Sequence, residues 1–147
     1  MKQKITSRNL LKNIRFFIPE FITIEKKEAV DEADEEHYVM SILNKFAEEV
    51  VLQKNVAILK KIAYLLNECW KIGEFPVQNA IIVSFFEGLS QKSFHAIKPL
   101  LSKSLTAEAE HYRMKWAEWL KQRKKLVGSW KLGKKQAKYL LKRHNVR

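Results

Sequence analysis

Apolar side chains recur at three- and four-residue spacing along almost the whole sequence, and no segment sustains the two-residue alternation of a half-buried strand. That single feature confines the chain to helices packed on helices. Leu10, Leu11, Ile14, Phe17 and Ile18 mark one face of a first helix, with Ser7 as its expected N-cap and Pro19 as its stop. A second helix is predicted from about Asp34 to Leu52, with Val39, Ile42, Leu43, Phe46 and Val50 inward and acids at its positive N-terminal end. A third runs from near Asn55 to Trp70 and carries Leu59, Ile62, Ala63, Leu66 and Trp70 inward, with Gly73 after it. Pro76 fits the first position of a fourth helix that ends near Gly88. The stretch Ser93 to Leu105 is helical in character, with a turn and restart at Pro99. Thr106 is the expected N-cap of a last helix to about Leu126, interrupted by Gly128 and Gly133 and resuming from Lys134 to Lys142.

Short connections between such helices favour an all-α fold of six to seven helices, either an antiparallel bundle or a short stack of helix hairpins resembling an α-solenoid. The 147 residues leave no room for a second full domain, and a domain of this size needs neither metal nor disulfide to stay folded. No run approaches the roughly 18 apolar residues of a membrane span. The N-terminus carries basic residues without the apolar core and cleavage site of a signal peptide, so a cytoplasmic location with Cys69 kept reduced is expected.

The charge divides the chain. Residues 1–110 hold as many bases as acids, whereas 111–147 hold 13 bases and one acid, Glu118, and so carry the whole net charge of +12. The expected organisation is a neutral helical core, 1–110, with a strongly basic, Trp-rich helical segment, 111–147, packed on the same domain. Within the core, Asp31, Glu32, Asp34, Glu35 and Glu36 form an acidic run that reads first as a solvated loop and helix start.

The residue pattern does not point to catalysis. His37, His95, His111 and His144 lie far apart, no Gly-rich loop precedes a helix, and Cys69 beside Trp70 reads as a buried structural thiol. The chain is expected not to be an enzyme, and no cofactor or metal is expected. The segment Phe75 to Leu89 is apolar around its circumference and should form the central helix. Its polar residues Gln78, Asn79, Ser84 and Glu87 then need partners, with Ser84 bonding back along its own helix and Glu87 meeting the backbone or a lysine, or else a binding partner.

The run VQNAIIVSFFEGL, Val77 to Leu89, resembles the signature of a family of small helical bacterial proteins found among the immunity proteins of polymorphic and contact-dependent toxin systems. That resemblance implies an intracellular protein that binds a cognate toxin and blocks its active site or an essential surface. The contacts for a basic toxin would be Asp31, Glu32, Asp34, Glu35 and Glu36. The basic segment from His111 lies outside the resemblance and suits an acidic partner or, as an alternative function, nucleic acid. Tyr112, Trp116, Trp119, Trp130 and Tyr139 interleave there with cations, and Lys121, Arg123, Lys124, Lys125, Lys131, Lys134 and Lys135 are the expected phosphate contacts. The same spacing is also expected to let Trp116 and Trp119 dock the segment onto the core, and a basic amphipathic helix can lie on an anionic membrane.

Overall fold

The computed structural model describes residues 3–129, with side chains through residue 126. The last described helix runs through Gly128, where a break was expected, to Ser129; the expected break at Gly133, the restart at Lys134, and the candidate contacts Trp130, Lys131, Lys134 and Lys135 lie outside the described residues. The chain divides into two units between Tyr112 and Arg113.

The first unit is an all-α bundle. Its helices are α1 (Leu10–Phe17), α2 (Ile22–Lys27), α3 (Glu36–Leu52), α4 (Val56–Ile72), α5 (Phe75–Ala80), α6 (Gln91–Ile97) and the start of α7 (Lys103–Ser129). Among the described residues no helix is long and apolar enough to cross a membrane. The centre is α3, which packs on α2, α4, α5, α6 and the segment following α5. Its inward residues Val39, Ile42, Leu43, Phe46 and Val50 are buried as their spacing predicts, and so are Leu59, Ile62, Ala63 and Leu66 of α4.

The turn between α3 and α4 shows how local chemistry sets this hairpin. Lys54 takes a left-handed conformation, φ 55°. Its N–H donates to the Val51 carbonyl at 3.0 Å while that of Asn55 donates to Val50 at 3.1 Å, so the last carbonyls of α3 are satisfied by a Schellman closure. Asn55 then caps α4, its side-chain oxygen accepting from the Ile58 N–H at 3.2 Å. The same closure recurs at the end of α2, where Ala29 has φ 52° and Val30 donates to Glu25 at 3.0 Å.

Two helix starts differ from expectation, and a further one was not anticipated. Asn9, not Ser7, precedes α1; its side-chain oxygen accepts from the Thr6 N–H at 2.7 Å and so folds the lead-in turn. α1 ends at Phe17, just ahead of its expected stop at Pro19, but Pro19 also starts a new element. Its fixed φ suits a first turn, and it opens a tight 3₁₀ turn, Pro19–Phe21, leading directly into α2. Ser102, not Thr106, caps α7: its hydroxyl accepts from Leu105 at 3.3 Å and its carbonyl from Thr106 at 2.9 Å. The restart at Pro99 is one 3₁₀ turn, Lys98–Leu100, after which the chain is extended at Leu101.

The apolar run after Pro76 is central, as expected, yet it is not one α-helix. After α5 the backbone widens into π-helical turns over Ile81–Phe86 before Gly88. Ile81, Phe85 and Phe86 are fully buried there.

An extended N-terminal residue closes the unit. Ile5 forms a parallel bridge with Gly73, its N–H donating to Ile72 at 3.2 Å and its carbonyl accepting from Glu74 at 2.9 Å. Gly73 is needed there for lack of space, since a Cβ on its backbone would fall on the Cys69 carbonyl oxygen.

Candidate functional site

The acidic run is a built turn rather than a loose loop. The Asp31 N–H donates to the Asp34 carboxylate at 2.8 Å, and the Ala33 N–H donates to the Asp31 carboxylate at 2.7 Å. Each aspartate thus satisfies backbone donors of the same turn. Glu32 is reached from outside the run: the Arg15 guanidinium of α1 meets Glu32 at 3.1 Å and the buried Glu25 of α2 at 2.7 Å. The hydrogen bond to Glu25 raises the Arg15 pKa above its ordinary value, against the opposing pull of burial. Glu35 sits at the mouth of α3 with an extended backbone and is exposed, and Glu36 is the first helical residue. Asp31, Glu32 and Glu35 face solvent, while Asp34 and Glu36 are half-buried. The result is a carboxylate edge fastened to α1, α2 and α3.

The edge connects directly to the widened segment. His37, one residue into α3 from Glu36, places Nδ1 2.6 Å from the Ser84 hydroxyl. Two turns along α3, Asn44 donates to the Phe85 carbonyl at 2.6 Å. A π-helical turn shifts carbonyls out of the ordinary i to i+4 ladder, and Asn44 meets one of them. Ser84 was expected to bond back along its helix; its partner is instead across the bundle on α3.

Two other polar residues of this segment are also placed. Gln78 donates to the Trp70 carbonyl at 2.8 Å. Asn79 lines a cleft with Trp70, Phe75, Ile82, Glu108 and Tyr112, and Phe75 stands 75% exposed at its side. Burial, and secondarily the charge of Glu87, push the Tyr112 hydroxyl pKa up. Trp70 is only half-buried, and its indole N–H donates to Ser104 at 3.0 Å.

Cys69 is fully buried, as its place on α4 suggested, and burial pushes its thiol pKa up to about 12. The native thiol is therefore expected to react with iodoacetamide at mildly alkaline pH at least roughly a hundredfold more slowly than the urea-unfolded chain. Comparable rates in the two states, followed by mass spectrometry, would contradict this placement.

The second unit contributes the distal part of α7. Lys121, Arg123, Lys124 and Lys125 are all exposed there. The Trp116 and Trp119 rings, expected to dock onto the core, are 38% and 48% exposed and stack on each other, with centroids 5.1 Å apart and planes at 19°. The Arg123 guanidinium lies 5.4 Å from the Trp119 ring centre.

The Asp31–Asp34 turn and the Arg15 link were not part of the sequence reading. The three-residue Asp spacing was the available signal for the first. The second joins residues 10 and 17 positions apart through tertiary packing alone. A family model described as a domain of unknown function (DUF7674) matches residues 11–117. No curated protein and no solved structure matches the chain.

Proposed function

The chain belongs to the DUF7674 family, a domain of unknown function, and from its surfaces we propose that it is a protein-binding module, an immunity protein that neutralises a cognate bacterial toxin by covering its active site or an essential surface. One observation carries the reading: five acids within six residues are held on a turn whose Asp31 and Ala33 N–H groups are bound by its own aspartates and whose flank is fastened by Arg15. A preorganised charged edge loses little conformational freedom on binding, which favours fast and specific association. A basic surface fits this edge, such as that of an enzyme acting on nucleic acid. The family match includes the whole edge and stops before Lys121.

The test is a pull-down with the full chain from its native cell, at low and high salt and with nuclease treatment. One protein retained through all three conditions is expected, toxic when expressed alone and harmless when co-expressed. Charge reversal at Asp31 or Asp34 would destroy the turn, so the informative variant combines Asp31→Asn, Glu32→Gln, Asp34→Asn, Glu35→Gln and Glu36→Gln. These keep the accepting oxygens and remove the charge. Affinity for the captured protein is expected to fall roughly tenfold or more, mainly in association rate. Unchanged affinity would eliminate the acidic edge as the contact surface.

A further inference from the structure

The inward face of α7 changes surroundings along its length. Before Tyr112 it consists of Leu105 and Ala109, both fully buried. Continuing at three- and four-residue steps, the same face presents Trp116, Trp119, Leu120, Arg123 and Leu126. The four apolar members are 38% to 55% exposed. Two stacked indoles in water are an uncommon use of the largest aromatic rings available, and exposed apolar patches mark interaction sites. The stack extends along the helix as ring, ring and guanidinium, because Arg123 lies over Trp119. Lys115, Lys121, Lys124 and Lys125 are exposed around it, and between residues 113 and 126 Glu118 is the only acid.

The partner must be flat in places and anionic throughout. An interfacial membrane helix needs a broad face free of charge. Here Arg123 sits in the middle of the aromatic stripe, so no such face exists. Acidic side chains of a protein would meet the lysines but bring nothing flat to the indoles. Nucleotides bring both: bases stack on exposed rings and phosphates pair with cations.

We propose that α7 between Trp116 and Lys125 is a binding site for single-stranded nucleic acid. Bases extend the Trp116–Trp119 column, and Lys121, Arg123, Lys124 and Lys125 take phosphates. This site is separate from the acidic edge, so the protein-binding reading stands or falls independently of it.

The full chain is titrated against a fluorescently labelled oligothymidylate and a mixed-sequence RNA, with binding read by anisotropy. Four phosphates neutralised on a single strand give a salt slope near −3, so affinity should drop by roughly two to three orders of magnitude between about 50 and 500 mM salt. Trp116→Ala with Trp119→Ala should weaken binding roughly tenfold or more, while Trp116→Phe with Trp119→Phe retains most of it. Both pairs replace exposed residues, and circular dichroism checks that their helix content is unchanged. Four outcomes would overturn the proposal: no binding at low salt, no loss in the alanine pair, tighter binding to a duplex of equal length, or capture by phosphatidylglycerol vesicles instead of the oligonucleotides.

Discussion

Phe85→Ala lowers the unfolding free energy by about 3–5 kcal/mol and the thermal midpoint by roughly 10–15 °C. Phe85 is fully buried, with its ring edge-to-face against Phe86 at 4.9 Å, and Phe86 in turn meets Phe94 at 6.0 Å. Truncation removes the transfer energy of the ring and leaves a cavity. Relaxation of the backbone into that cavity is opposed from the α3 side, because Asn44 holds the Phe85 carbonyl. A loss of this size is a large share of the 5–15 kcal/mol by which domains of this class are stable. Urea unfolding followed by circular dichroism measures it, and an unchanged m-value identifies the loss as one of native packing. Phe16→Ala is the matched control: that ring is 78% exposed, so its removal should stay within about 0.5 kcal/mol. Equal effects of the two substitutions would mean that Phe85 is not the core anchor its burial indicates.

Gly73→Ala is the second large effect, expected at about 3 kcal/mol and of opposite origin, since it adds atoms rather than removing them. The backbone at Gly73 has φ −77° and ψ 149°, ordinary values for any residue. Sterics alone forbid the side chain there: the new methyl group would lie on the Cys69 carbonyl oxygen, which already accepts the Gly73 N–H at 2.9 Å. Relief requires the last turn of α4 to open, and the two hydrogen bonds of Ile5 flank this point. In the same urea experiment, a cost below about 1 kcal/mol would show that the turn opens without disturbing its neighbours.

The two long core helices were legible because their signals are local. In α3 and α4 the apolar spacing and the Asn55 cap lie within a few residues of one another, and local and tertiary preferences agree. The short α2 was missed because Pro19 was read as a stop, although the same fixed φ also starts a helix. The π-helical turns at Ile81–Phe86 carry no pattern of their own, since six residues with only Ser84 polar read as plain α-helix. What favours the wider winding is remote in sequence, namely His37 and Asn44 reaching across from α3. The acidic run was visible as composition, but its internal bonding was not, and neither was its attachment to Arg15. For Trp116 and Trp119, helical spacing identified the face and could not say whether protein or water lies against it.

The Ile5–Gly73 bridge also makes the first half of the chain a closed circuit. Two hydrogen bonds join positions 68 residues apart, whereas α3 and α4 are joined by the tight turn at Gln53–Asn55. Closure entropy rises with the logarithm of the enclosed length, so the hairpin can assemble while the N-terminal residues still diffuse. The circuit closes only when α4 has ended at Gly73 and the carbonyl of Ile72 and the N–H of Glu74 point the same way. The bridge thus ties the N-terminal residues to a correctly placed α4–α5 joint, because a shift of that joint would remove both hydrogen bonds.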